Sequence, residues 1–388
     1  MALTTKKFIP LSAPTVEGNE WKYIKDCLDS GWVSSAGSYV GDFERRVAGY
    51  VGAKHAVACS SGTAALHLAL LAAGIGPGDE VIVPALTFIA PANAVRYVGA
   101  QPVFIDVDPV FRQMDVHKLK DFLIKECVFK NGALVNRNTK RRVRALIAVH
   151  LLGHPVDMGG LMALARRFNL TVIEDAAESI GAKYKNRRVG NLADMGCFSF
   201  NGNKIITAGG GGMLVSNNRV WADRARYLST QAKDDEQEYI HHNIGYNYRL
   251  TNIQAAMGLA QMECLDGFIE RKQRIAQIYD QNFKGQEGLV LPQQAAWAFS
   301  TCWLYTIVVE EAFGVDSRQL MAILQSQNIQ TRPLWHPLPG LMPFKKCYAY
   351  KVEVAPVLYA KALSLPSSPG FTKKDQERVI AAIRRARR

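Results

Sequence analysis

Between residues 80 and 178 the chain alternates short Val/Ile-rich runs with longer amphipathic ones, and no other feature restricts the fold as much. "EVIVPAL" is followed by "FIAPANAVRYVG", "QPVFIDVD" by "DVHKLKDFLIKE", and "RALIAVHLLG" by "DMGGLMALARRFN"; the series closes on "LTVIEDAAE". Near-continuous apolar runs predict strands buried on both faces, and helices of ten or more residues between them predict crossovers. The expectation is an α/β fold, a mostly parallel sheet covered on both sides, with functional groups at the carboxyl ends of its strands. Upstream, "SGTAALHLALLAAG" reads as a helix, "VEGNEWKYIKDCLDSG" as a helix ending at Gly31, and residues 1–14 as an extended arm.

Two segments depart from this rhythm. Asn131-Gly132 between apolar runs predicts an inserted β-hairpin at about 126–144, with a basic flank, "NTKRRVR". From Thr251 a long helix, with Ile253, Met257, Ala260 and Cys264 on one face, leads into a smaller α+β unit. The expected division is therefore arm 1–14, large α/β domain 15–250, and linking helix with small domain 251–388. A chain of 388 residues, 48% of them hydrophobic, can fill two such cores.

The formal charge of +13 raises nucleic acid as a partner. Its basic clusters, 138–144 and the terminal "RRARR", carry no interleaved aromatics or nucleic-acid motif, so a polyanionic small substrate is the better match. Lys140, Arg141 and Arg142 either attract a diphosphate or form a solvated face. No apolar run is long enough to span a membrane or act as a signal, so a soluble, cytoplasmic protein is expected. Seven scattered cysteines without a Cys-x-x-Cys pair suggest reduced thiols. His150 and His154 are four apart but fall on a strand end and loop, so no metal site is expected.

Three stretches carry chemistry. Ser61, Gly62 and Thr63 open a helix, where free N–H groups and the dipole make an anion seat; a simple helix cap is the alternative. "TVIEDAAES" runs a buried strand into Glu174 and Asp175, and a buried carboxylate needs a cation. "CFSFNGNKIITAGGGGM" sets Lys204 between a strand and four glycines, 209–212. Phosphate seat, buried aspartate and lysine are what pyridoxal 5′-phosphate (PLP) requires: the lysine forms a Schiff base and the aspartate pairs with the pyridinium nitrogen. Phe88 after "PALT" either stacks on the ring or belongs to the core. A dinucleotide fingerprint, Gly-x-Gly-x-x-Gly, is absent after the first strand.

"GTAALHLAL", "PALTFIAPANAV", "PVFIDVD", "VHLLGHPVDM", "VIEDAAESIGA", "CFSFNGNKIITAGGGGMLVSNN" and "GYNYRLTNIQAAMG" occur in an order that resembles the DegT/DnrJ/StrS sugar aminotransferases. The resemblance runs from about Pro10 to the C-terminal helix. It implies a fold-type-I PLP enzyme acting on nucleotide-linked keto sugars, with L-glutamate as donor, as a homodimer with shared active sites. It further implies Glu178 near the phenolic oxygen of the cofactor, Ser199 with Gly62 and Thr63 on the phosphate, and Asn247 reaching the same phosphate from the partner subunit. Many relatives carry Glu where this chain has Gly210. Within the family the motifs resemble the branch that acts on UDP-4-keto-6-deoxy-N-acetylhexosamines, of the legionaminic acid and bacillosamine type, which implies an amine placed at C4. GDP- or dTDP-linked 4-keto-6-deoxy sugars are the alternative, and a non-catalytic PLP-fold regulator or binding protein a distant one. Trp32, His150, Trp303, Arg332 and His336 are candidates for sugar or nucleotide contact.

Overall fold

The alternating runs become strands whose successive side chains enter two different cores. The computed structural model describes residues 7–235 and 237–387, so the first six residues of the expected arm lie outside the described residues. In chain order the elements of the first half are α1 (Glu20–Ser30), α2 (Ser38–Val51), β1 (His55–Cys59), α3 (Gly62–Ala72), β2 (Asp79–Pro84), α4 (Ala90–Tyr97), β3 (Gln101–Ile105), α5 (Val116–Lys125), β4 (Cys127–Lys130), β5 (Ala133–Asn136), β6 (Arg142–Val149), α6 (Met158–Arg167) and β7 (Thr171–Asp175). Then follow β8 (Lys183–Tyr184), β9 (Arg187–Arg188), β10 (Met195–Ser199), β11 (Gly212–Ser216), α7 (Arg219–Ser229) and the long α8 (Asn252–Phe283). The chain closes with β12 (Leu289–Val290), β13 (Ala298–Phe299), β14 (Tyr305–Val309), α9 (Ser317–Ser326), β15 (Arg332–Pro333), β16 (Ala349–Tyr350), α10 (Val354–Lys361), β17 (Ala362–Leu365) and α11 (Lys373–Ala386).

The main sheet runs β1-β11-β10-β7-β6-β2-β3-β16, parallel from β10 to β16, with β11 antiparallel to both its neighbours. Along β6, Ala145, Ile147 and Val149 enter one core while Leu146 and Ala148 enter the other. Both faces are therefore covered, as near-continuous apolar strands require. The carboxyl ends of β1, β2, β6, β7 and β10 converge on one edge, where the site forms.

The Asn131-Gly132 turn is present: both residues have positive φ (51° and 76°) and close a two-residue loop pairing Lys130 with Ala133. The hairpin joins β6 at its start. Arg142 pairs with Asp79 at 2.9 Å and Arg144 reaches the same carboxylate at 3.4 Å. They sit at the amino ends of the strands, about 25 Å of extended chain from the other end of the eight-residue β6.

The second unit is a four-stranded antiparallel sheet, β12-β14-β17-β15, with α9, α11 and the later turns of α8 in its core. The arm lies on this unit: Ile9 N–H bonds Asn328 O, and Ala13 N–H bonds Ser368 Oγ. β16, although within 251–388, adds to the large sheet beside β3. On α8, Ala260 is buried but Ile253, Met257 and Cys264 are only half-buried. The helix is covered by α1 and α2 on one side and by the sheet units on others, so a single stripe underdescribes it.

Candidate active site

A cavity of about 430 Å³ at the carboxyl edge is bordered by Gly62, Thr63, Phe88, Asp175, Glu178, Ser199 and Lys204. Eight separate stretches of sequence meet there, Trp303 and Trp335 among them. The α3 start serves both purposes considered for it. Ser61 caps the helix, its Oγ accepting the Ala64 N–H at 3.0 Å. Gly62 and Thr63 still open onto the cavity, and first-turn N–H groups have no partner within their helix. The seat is tight: a Cβ on Gly62 would lie 2.8 Å from Ser199 Cβ, and one on Gly212 only 2.3 Å from Ser61 O. The glycine run thus lets β11 pass directly behind the helix start.

Glu174 and Asp175, adjacent on β7, point to opposite faces of the sheet. Glu174 is fully buried and accepts N–H groups of Gly190, Leu192 and Ala193 at 2.7, 2.6 and 2.9 Å. It organises the loop before β10. Asp175 borders the cavity, accepts the Ala177 N–H at 3.1 Å, and forms no ion pair among the described residues. Burial raises its pKa, with Ala177 N–H, Lys204 and His150 pulling the other way. Glu178 lies 3.8 Å from Lys204 Nζ and accepts the Leu152 N–H at 2.8 Å. Burial pushes its carboxyl up to about 7, against the pull of Lys204.

Aromatic rings complete the walls. Lys204 Nζ stands 4.3 Å from the Trp303 ring centroid, and Trp303 stacks at 6.3 Å and 5° on Trp335. The Trp303 indole N–H donates to Asn203 O at 2.8 Å, and Ser12 Oγ donates to the same carbonyl at 2.9 Å. Two bonds on one carbonyl fix the turn that presents Lys204. Phe88 is 52% exposed, with its ring 6.5 Å from Trp335, so it belongs to the cavity and not to the core.

Four of the five substrate-contact candidates fall elsewhere. His150 is fully buried; its Nε2 is 2.9 Å from Glu174 and its Nδ1 accepts the Val156 N–H at 3.2 Å, so it supports the floor beneath the site. Arg332 is exposed on β15, and His336 is exposed against Tyr359, because alternation on this extended segment turns Trp335 inward instead. Trp32 is 59% exposed and does not border the cavity. Asn247, expected on the phosphate, is exposed in an open groove with Ser35, Arg226, Thr230 and Arg249. Sequence reasoning missed Trp335, Asn201 and Asn203; the signal for the first was its place between two polar candidates.

These residues fit PLP. The cradle at Gly62 and Ser199 has no room for a further side-chain carbon, and the buried Asp175 lacks the cation that a pyridinium supplies. Fold and site together define an α/β transferase of fold type I that works with pyridoxal phosphate. Residues 14–384 match the DegT/DnrJ/EryC1/StrS aminotransferase family, and the chain belongs to it as a sugar aminotransferase. The GDP-perosamine synthase of Caulobacter vibrioides is 42% identical over 376 residues, 97% of each chain. That of Escherichia coli O157:H7 is 40% identical over 368 residues, 95% of each. A UDP-N-acetyl-3-dehydro-alpha-D-glucosamine 3-aminotransferase of Acidithiobacillus ferrooxidans is 38% identical, over 88% of this chain and 87% of its own. Among solved structures, a DegT DnrJ EryC1 StrS aminotransferase from Brucella abortus superposes with TM-score 0.85 at 32% identity, covering 94% of each chain. A protein described as a sugar aminotransferase from Streptococcus pneumoniae, in its PLP form, gives TM-score 0.86 at 25% identity over 98% of each.

No described helix is long and apolar enough to cross a membrane. Among the described residues no group of three or more His, Cys, Asp or Glu side chains could hold a metal ion.

Proposed function

We propose that this aminotransferase moves an amino group from L-glutamate to C4 of a GDP-linked 4-keto-6-deoxy sugar. The placement of Lys204 between Glu178 and Trp303, in the cavity that Asp175 and the α3 start also border, carries the reading. The nucleotide follows the relatives: both GDP-perosamine synthases cover at least 95% of this chain, whereas the UDP-sugar enzyme covers 88%. They favour the GDP alternative over the UDP-linked N-acetyl sugar that the motifs suggested.

Bound PLP supplies a carbonyl carbon for amine exchange and a ring that accepts the electron pair left at carbon when a proton departs. Lys204 is the amine that would hold the cofactor, and its freed Nζ, beside Glu178 and Trp303, would serve as the base that takes the proton from the donor's Cα. Asp175 is the carboxylate that would pair with the pyridinium nitrogen, and Glu178, 3.8 Å from Nζ, would hold the lysine in place. The N–H groups at Gly62 and Thr63, with the Ser199 hydroxyl, would hold the phosphate. Phe88, on the cavity wall, would cover the cofactor ring, and Trp303 and Trp335 shield the lysine from water.

The chain acts as a homodimer in this reading, with Asn247 completing the partner's phosphate site. Its separation from the Lys204 cavity supports this, as does the exposure of nearby Ile244 and Tyr239, 86% and 70%. The test is a panel of GDP-, UDP- and dTDP-4-keto-6-deoxy sugars with glutamate. The GDP sugar should show the highest kcat/KM, and a higher value for the UDP sugar would reverse the assignment.

A further inference from the structure

A second cavity, of about 410 Å³, lies between the two units and does not include Lys204. Its walls include Phe111, Arg112, Leu152, Gln277, Asp280 and Leu304. Arg112 is its unusual member. It is only 4% exposed and sits in the left-handed region with φ 64°, which non-glycine residues seldom adopt. The turn is held from outside: Asp108 accepts the N–H groups of Val110 and Gln113 at 3.0 Å each, and the Arg112 N–H bonds Asp108 O at 3.1 Å. The strained turn delivers the guanidinium inward.

There it donates one bond among the described residues, Nη1 to Thr306 O at 2.7 Å, and forms no ion pair. Burial pulls its pKa down to about 10, so the group remains a cation at neutral pH. Asp280, on the same cavity, is engaged by the Tyr305 hydroxyl at 2.6 Å. A buried charge without a counter-ion is costly, and here it borders open space of small-molecule size. The volume far exceeds an inorganic oxyanion, and Phe111, Leu151, Leu152 and Leu304 offer apolar surface.

The same wall serves the active site. Leu151 and Leu152 border this cavity, while the Leu152 N–H holds Glu178 at 2.8 Å and its carbonyl accepts the Trp303 N–H at 3.1 Å. Cys302 and Leu304 face this cavity, and Trp303 between them faces Lys204. We propose that the cavity binds a small organic carboxylate with an apolar body, paired with Arg112, and that occupancy shifts the 151–153 turn and so regulates the aminotransferase. The ligand supplies the missing counter-ion, and the shared turn transmits its presence to Glu178 and Trp303.

Calorimetric titration of the PLP-loaded full chain with benzoate, and separately with inorganic phosphate, tests this. Benzoate should bind saturably at one site per chain, undisplaced by saturating glutamate, with phosphate at least about tenfold weaker. Arg112→Gln should weaken benzoate about tenfold or more. Gln277→Trp, which fills the cavity from α8 without removing the cation, should abolish binding while leaving unliganded turnover intact. Bound benzoate should change the rate of the glutamate half-reaction by about twofold or more in wild type. Binding that persists in Gln277→Trp or is displaced by glutamate overturns the site, as does failure to bind. Saturable binding with an unchanged rate overturns the regulation.

Discussion

Lys204 Nζ lies 3.8 Å from Glu178 Oε1, in a cavity where a second carboxylate, Asp175, is also buried. Burial raises the Glu178 pKa from an ordinary 4.5 to about 7. The folded state therefore holds more protons than the unfolded state between those values, and this contribution to stability is lost as pH rises through the window. In PLP-free protein, the unfolding free energy of Glu178→Gln should gain on wild type as pH rises from about 4.5 to 7. Parallel curves would show that Glu178 ionises as freely as in water.

Asp175→Asn keeps the size and removes the charge. PLP should still bind, but the glutamate half-reaction should slow by about a hundredfold or more, as for loss of a charge-stabilising group. A near-normal rate would reduce Asp175 to a partner for the Ala177 N–H.

Lys272 on α8 is 1% exposed and donates to Trp303 O and Ser367 O at 2.8 and 2.6 Å. Burial lowers its pKa from 10.5 to about 7. A neutral amine still has two N–H donors, enough for both carbonyls. Between about 7 and 10.5 the unfolded state holds the extra proton, so this lysine's contribution to stability improves as pH rises. Denaturant unfolding from pH 7 to 9 should show wild type gaining on Lys272→Met; a constant difference would contradict the buried neutral amine.

The shared site is tested by mixing. If Asn247 acts across a two-fold axis, a mixed dimer of Lys204→Ala and Asn247→Ala subunits has one intact site. Random reassociation should then recover up to about a quarter of wild-type activity. No recovery, with mixed dimers shown to have formed, would place Asn247 in its own subunit's chemistry.

Much of the fold was legible because near-continuous Val/Ile runs have few solutions other than buried parallel strands. The Asn131-Gly132 hairpin was legible for a similar reason, since few other dipeptides accept two positive φ values. β11 was not, because a five-residue strand running against its neighbours is specified by pairing partners distant in sequence. In the site, Lys204, Asp175, Gly62 and Phe88 could be placed because each follows a strand or opens a helix. His150 was misread because its position at a strand end says nothing of Glu174, which takes its ring nitrogen. Trp303 and Trp335 come from the C-terminal part of the chain, and only tertiary packing brings them to Lys204.

The central claim is that Lys204 is the amine that holds PLP. Purified protein loaded with PLP should absorb near the visible edge, and borohydride reduction followed by peptide mapping should find the pyridoxyl group on Lys204. Lys204→Ala should carry none. A pyridoxyl group mapped to Lys272 or any other lysine, with Lys204 unmodified, would contradict the account.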